Sequence, residues 1–254
     1  MPQGSILGPL MFILYMNDLP YIVKSNVSPV LFADDTSFII SNSNLKDMTY
    51  DVGVVMDQIQ KWYNANILLL NNEKTAIIQF YPSMVHRSMD STHNVNKKID
   101  TTDSLKFLGV ILESTLTWGK HTDLITSKLN SLAYMIRFLR PVLSLHVIKQ
   151  IYFSYVHSVL TYSIIFWGNA PSSKTVFIAQ KRIVRIIMHA KTNESCRTLF
   201  RRLGILTLYS QYILSIIMFV AKNRQLFTSN DSIHNIDTRH KLDLHVPSVK
   251  LTKV

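Results

Sequence analysis

The tetrad Phe32-Ala33-Asp34-Asp35 lies between two apolar runs, Pro29-Val30-Leu31 and Phe38-Ile39-Ile40. Such runs on both sides of a short polar pair predict a β-hairpin over residues 29–41 with the aspartates at its tip. Adjacent carboxylates repel one another and resist desolvation, so a chain that keeps them together at a bend needs compensation. A hard divalent cation provides it, since such ions take carboxylate oxygens and bring the missing positive charge. A plain turn cap is the alternative, because aspartate favours tight turns through its own backbone bonds.

Charge is distributed unevenly along the 254 residues. Residues 1–113 hold 8 Lys and Arg against 11 Asp and Glu, whereas residues 114–225 hold 15 against only Asp123 and Glu194. A slightly acidic first part therefore precedes a strongly basic second part, the pattern of a metal-binding fragment joined to a module that grips a polyanion. The hydrophobic content of 47% is enough for a real core. One cysteine, Cys196, excludes an internal disulfide and cysteine-rich zinc sites, and it suits a reducing intracellular compartment, nucleus or cytoplasm. The histidines are scattered and read as surface or structural groups.

Two uncharged stretches, Gln150 to Ser173 and Leu203 to Ala221, are long enough on paper to span a bilayer. Both carry polar side chains along their length, Tyr209, Ser210, Gln211 and Tyr212 among them, which suits packed helices better than lipid-facing ones. The expectation is no membrane span. Nor does the apolar start, Ile6 to Tyr15, carry a basic leader or a small-residue cleavage site.

Periodicity gives a coarse map. Helices are predicted from Pro9 to about Val23 and from Asn44, as cap, to Trp62, the latter with Met48, Val52, Val55, Met56, Ile59 and Trp62 on its apolar face. Strands are predicted at Ile67–Leu70 and Thr75–Phe80 around the polar turn Asn71-Asn72-Glu73-Lys74. Residues 82–104 read as loop and short strand, and Phe107 to Leu112 as a strand with an internal glycine. Long helices follow, at Trp118–Leu139, Leu145 to about Phe166, Ser173–His189 and Leu206–Lys222, broken at Pro141, Gly168-Asn169-Ala170-Pro171 and Gly204. From Asp231 onward the chain reads as a weakly ordered tail.

Pro2-Gln3-Gly4-Ser5 with Gly8-Pro9 adds a second motif, 30 residues before Asp34. Glycine there permits close approach of backbone to a base pair or phosphate, and Gln3 offers both a donor and an acceptor. Coupled to the hairpin, and followed by Phe12 through Pro20, this resembles the palm of a reverse transcriptase of the kind carried by non-LTR retrotransposons, jockey-like elements in particular. Leu69 to Thr75 resembles a further palm motif. Trp118 with His121, Tyr162, Phe166-Trp167-Gly168 and Gln180-Lys181-Arg182 resemble the region that follows such palms.

The resemblance implies an α+β fold: a partial polymerase palm, an antiparallel sheet with helices, over residues 1–113. An all-α thumb-like region over 114–225 and a weakly ordered tail over 226–254 would follow it. It also implies roles. Asp34 and Asp35 would be the catalytic, metal-holding carboxylates, with Asp34 the main ligand for magnesium or, as a substitute, manganese. Lys74 would be the cation near the leaving pyrophosphate, although a solvated turn lysine explains it nearly as well. Gln3, Gly4 and Ser5 would meet template and nucleotide, and Phe107, Leu108 and Gly109 would grip the primer. Lys174, Lys181, Arg182 and Arg185 would meet nucleic-acid backbone. The implied partners are an RNA template, a DNA primer and a deoxynucleoside triphosphate. Palms of this kind use a further carboxylate upstream of the Pro-Gln-Gly-Ser loop, where this chain starts. The expectation is thus a C-terminal fragment with little or no activity alone; the alternatives are a non-enzymatic basic remnant that still binds nucleic acid and, behind it, a helical membrane protein with a chance Asp-Asp.

Overall fold

Val27–Phe32 (β1) and Asp35–Ile40 (β2) form the antiparallel hairpin that the apolar runs predict, in a computed structural model that describes residues 6–23, 27–42, 44–80, 101–233 and 239–245. Pairing runs from Val27 opposite Ile40 to Phe32 opposite Asp35, leaving Ala33 and Asp34 as the connection. Alternation along each strand sends Val27, Leu31, Phe38 and Ile40 to one face. That face packs on α2 (Leu45–Ala65), where Val27 joins Val55 and Ile59 in a small core with Phe38 and Ile40 at its margin. The opposite face stays open, with Val30, Phe32 and Ile39 exposed.

The stripe predicted for α2 is the buried one. Val55, Ile59 and Trp62 are buried, and Met48, Val52 and Met56 are half-buried. The Asn44 carbonyl accepts the first helical bond, from the Met48 N–H at 2.9 Å, as an N-cap residue does. At the other end Leu68 N–H reaches back to the Tyr63 carbonyl and Ile67 N–H to that of Asn64. This is a Schellman closure, with Ile67 left-handed at φ 56° in the place glycine usually takes. It also explains why the strand predicted at Ile67–Leu70 does not form: the chain is still turning off the helix there. The next predicted strand shrinks to β3 (Ile77–Ile78), which pairs in parallel with β4 (Thr101–Thr102). Residues 81–100, which include most of the loop predicted over 82–104, lie outside the described residues.

The first helix, α1 (Leu7–Tyr15), is shorter than predicted. A turn at Met16–Asp18 ends it, and Pro20 then sits in a 3-10 turn over Leu19–Ile22. Met16 and Leu19 are buried against Trp62, whose indole N–H donates to the Asp18 carboxylate at 3.1 Å. The outer residues Leu10, Ile13 and Leu14 are all exposed.

By contacts the chain divides into two units, Met1–Leu105 and Lys106–Val254. At this boundary a hairpin stands where one strand is predicted: β5 (Ser104–Phe107) runs into β6 (Val110–Glu113) through Leu108 and Gly109. Both connecting residues are left-handed, at φ 45° and 85°, as a two-residue turn matching the strand twist requires. Gly109 therefore belongs to a turn and not to a strand interior.

Seven helices follow in the second unit before the tail: α3 (Gly119–Leu139), α4 (Leu145–Ile151), α5 (Ser158–Thr161), α6 (Ile164–Trp167), α7 (Ser173–Ile187), α8 (Cys196–Leu203) and α9 (Leu208–Lys222). The helix predicted from Leu145 to Phe166 is one rod only as far as Thr161. Tyr152–His157 is wound as a π-helix, and Ser163 at φ 53° turns the chain into α6. Leu129 and Ile136 of α3, Ile148, Tyr152 and Trp167, and Val176 and Ile183 of α7 fill one continuous core. The fully buried Trp167 donates its indole N–H to the Tyr162 carbonyl at 3.0 Å. Arg140 closes the end of α7, its Nε donating to the Ile187 carbonyl at 2.7 Å. Where a weakly ordered tail is expected, residues 239–245 fold back on 228–231: Asn230 N–H donates to the Asp243 carbonyl at 3.0 Å and Asp231 N–H to that of Lys241 at 2.8 Å.

Candidate functional site

In the first unit, Asp34 is the second residue of the β1–β2 connection and Asp35 the first of β2. Both are exposed. Ala33 takes the left-handed conformation, φ 52°, that starts the turn, so the tip bends sharply and leaves both carboxylates in solvent. Burial of the opposite hairpin face fixes this tip: a one-residue slip would move Phe38 and Ile40 out of the core. Among the described residues, no three His, Cys, Asp or Glu side chains gather to hold a metal. The pair therefore stands as two hard oxygen donors. That chemistry fits magnesium, which is commonly held by one or two carboxylates together with water and phosphate oxygens.

Lys74 is exposed at the end of a turn built by Asn71, whose side-chain oxygen accepts the Lys74 N–H at 3.1 Å and whose carbonyl accepts the Thr75 hydroxyl at 2.7 Å. The polar turn is thus the one predicted, and its lysine is free to reach outward. Gln3, Gly4 and Ser5 lie outside the described residues.

In the second unit, Phe107, Leu108 and Gly109 lie at the tip of the β5–β6 hairpin. The Tyr162 hydroxyl donates to the Leu108 carbonyl, and a Cβ on Gly109 would stand 3.4 Å from the Tyr162 ring. From the other side His121, 2% exposed, accepts the Ile111 N–H on Nδ1 at 3.3 Å. That acceptor role assigns the proton of the neutral ring to Nε2, which is buried with no hydrogen-bond partner among the described residues. Burial, helped by the nearby Lys128 charge, holds His121 below the usual histidine range. A cavity of about 270 Å³ lies beside the turn, walled by Gly109, His121, Ile125, Lys128, Val159 and Tyr162. Tyr162, just after α5, and His121 of α3 thereby hold the short hairpin from two sides.

The basic residues divide by environment. Lys174 and Arg182 are exposed on α7, whereas Lys181 is half-buried with its ammonium 4.6 Å from the Phe177 ring centre. Arg185 is half-buried too, its Nε donating to the Glu194 carbonyl at 3.0 Å. Sequence reasoning missed α8, which buries Cys196, Leu199, Phe200 and Leu203 and exposes Arg197, Arg201 and Arg202. Its signal was available as apolar residues spaced by three, four and seven in Cys196 to Leu203. The Cys196 thiol meets the Lys181 carbonyl at 3.7 Å, so the α8 start lies against the charged half of α7. No single helix among the described residues is long and apolar enough to cross a membrane; α8 and α9 together pass on composition but bend by 49°.

Residues 1–112 match the family model described as reverse transcriptase (RNA-dependent DNA polymerase). The chain is 25% identical over 221 residues to the Drosophila melanogaster protein named "Probable RNA-directed DNA polymerase from transposon BS", covering 83% of this chain and 24% of that protein. It is 25% identical over 215 residues to the RNA-directed DNA polymerase from mobile element jockey of the same organism, covering 80% of this chain and 23% of that protein. To the Nasonia vitripennis Pol polyprotein from type-1 retrotransposable element R1 2 it is 29% identical over 125 residues, 47% of this chain and 30% of that one. The chain spans about a quarter of the length of the first of these relatives. No solved structure matches it.

Proposed function

We propose that this chain is the palm-to-thumb segment of an RNA-directed DNA polymerase of the kind that jockey-like non-LTR retrotransposons carry, its residues 1–112 matching the reverse transcriptase family model. Polymerases of this family generally use divalent metal ions. The observation that carries the reading is the exposed Asp34–Asp35 pair on a hairpin anchored through its other face. In this proposal Asp34 and Asp35 offer carboxylate oxygens to magnesium, which when bound supplies the charge that activates a primer hydroxyl and steadies a triphosphate. Lys74 neutralises or protonates the leaving pyrophosphate. The Phe107-Leu108-Gly109 turn presents backbone to the primer, and the basic helices hold RNA and DNA through phosphates without reading sequence.

Manganese titration of the full chain, followed by paramagnetic broadening of backbone amide signals, tests the metal assignment. Broadening centred on residues 32–36 and lost in Asp34→Ala supports it; broadening unchanged in that variant overturns it. Fluorescence anisotropy with a labelled RNA–DNA hybrid tests the partner. Affinity should fall steeply with salt, because each neutralised phosphate releases counterions.

A second reading is a nucleic-acid grip without turnover. It is favoured by the absence of any third carboxylate gathered at the aspartate pair among the described residues. Primer extension on an RNA template with magnesium separates the two. Extension abolished by Asp34→Asn assigns catalysis to the chain, and salt-sensitive binding with no extension assigns the second reading.

A further inference from the structure

Between Ser173 and Lys222 the chain holds nine Lys and Arg and a single acid, Glu194. Within this stretch α7, α8 and the start of α9 bring three aromatic rings together. Phe177 stacks on Phe200 with ring centres 6.4 Å apart and meets Tyr209 edge to face at 5.1 Å. Phe200 is buried and Phe177 half-buried, while Tyr209 is 40% exposed. The Lys181 ammonium lies against the same Phe177 ring, Arg182 is exposed beside it on α7, and Arg197 and Arg201 are exposed on the helix that contributes Phe200. A uniform phosphate grip needs cations alone. Rings backed by rings, with one open to solvent, an ammonium against them and exposed arginines on the same helices, are what an unpaired nucleotide uses: its base stacks and its phosphates meet the cations.

Building on the nucleic-acid reading above, we infer that the Phe177–Tyr209 surface, with Lys181 and the exposed arginines of α7 and α8, is a binding site for single-stranded RNA or DNA. Tyr209 is the ring that takes the base and Phe177 is its rigid backing. Duplexes, whose bases are already stacked on one another, gain only the charge contribution here. Charge complementarity commits the surface to this occupant, since no acidic side chain lies on α7, α8 or α9.

Fluorescence anisotropy of the full chain with labelled oligouridylate, oligothymidylate and a mixed-sequence duplex tests the inference. Tyr209→Ala should weaken single-strand binding about tenfold, toward the lower end of what one stacked base is worth, and leave duplex binding nearly unchanged. Tyr209→Phe should restore single-strand affinity, because the ring and not the hydroxyl does the stacking. Lys181→Gln should make the salt slope for single strands shallower by about 0.7. Ultraviolet crosslinking of the wild-type chain to a 5-iodouridine strand needs no variant, and peptide mapping should place the crosslink on Tyr209 or Phe177. Crosslinks confined to other peptides, or equal single-strand affinity in wild type and Tyr209→Ala, overturn the single-strand site while leaving a general phosphate grip intact. Failure of the wild type to bind any of the three probes at low salt overturns the underlying nucleic-acid reading instead.

Discussion

Gln180 donates from Nε2 to the hydroxyl of Tyr152 at 2.9 Å, in the fully buried centre of the second unit. The same nitrogen donates to the Leu206 carbonyl at 3.0 Å, and Oε1 accepts the Leu208 N–H at 2.9 Å. One carboxamide therefore ties the rod containing Tyr152 to the loop that starts α9. A buried amide is tolerable when its donors and acceptor are engaged, and here both kinds are.

Removing one end of this network differs from removing its centre. Tyr152→Phe leaves Gln180 bonded to Leu206 and Leu208 and should cost about 1 kcal/mol in urea unfolding. Gln180→Leu strands the Tyr152 hydroxyl, the Leu206 carbonyl and the Leu208 N–H together, and should cost about 3 kcal/mol or more. Equal losses in the two variants would show that the contacts act independently.

Burial also pushes the Tyr152 hydroxyl up to about 12, with the Gln180 bond pulling weakly the other way. The neutral phenol is thus the form the fold favours. Below pH about 10 the folded and unfolded chains both keep the proton, and this contribution to stability is complete. Between about 10 and 12 only the unfolded chain releases it, so stability falls as pH rises. The difference in unfolding free energy between wild type and Tyr152→Phe, measured across that range, should narrow and then reverse.

His121 titrates with the opposite consequence. Its folded value lies below the ordinary 6.5, chiefly through burial, so the neutral ring is the native form. Above pH about 6.5 neither state binds the proton and stability is full. As pH falls below that point the unfolded chain gains a proton that the folded chain resists, and stability drops. Protonation also turns Nδ1 from an acceptor into a donor facing the Ile111 N–H. His157, also lowered by burial, contributes in the same direction. Thermal melts from pH 7 to 5, a range spanning the ordinary value, should show a shallower decline in His121→Asn than in wild type. An unchanged slope would assign the acid sensitivity to His157.

Much of this was legible in the sequence. Two apolar runs around Asp34 and Asp35 give the hairpin because a two-residue period needs only a turn between its halves. The α2 stripe and the basic second half were equally plain. Three elements were hidden, each by a residue that local preference assigns elsewhere. Leu108 disguises a turn as a strand, since an apolar residue at φ 45° contradicts its own propensity. Ile67 does the same at the end of α2. Gln180 is a polar residue directly before Lys181 and Arg182, yet packing against Tyr152 and the α9 start makes it core. At Leu108 and Gln180 tertiary contacts outweigh a local preference worth about 1 kcal/mol, and at Ile67 the backbone bonds that close α2 do. For the aspartate pair, sequence supplied the residues and structure supplied their exposure at a fixed tip. The ring cluster around Tyr209 required the fold, because its three members come from three helices.

The end of α2 offers a direct measure of such a conflict. Ile67 occupies the left-handed closing position at φ 56° and is 95% exposed, so its side chain contributes no burial to offset the backbone strain. A β-branched residue in this conformation costs on the order of 1–2 kcal/mol. Glycine removes that cost and returns part of it as extra freedom of the unfolded chain, about 0.5–1 kcal/mol. Ile67→Gly should therefore stabilise the protein by about 0.5–1 kcal/mol and raise Tm by a few degrees. Ile67→Ala, which keeps a Cβ at the same φ, should gain less. The Leu68 N–H bond to the Tyr63 carbonyl should be kept in both, and slow amide exchange at Leu68 reports it. A loss of stability in Ile67→Gly would mean that the isoleucine side chain makes favourable contacts in solution that outweigh the strained backbone.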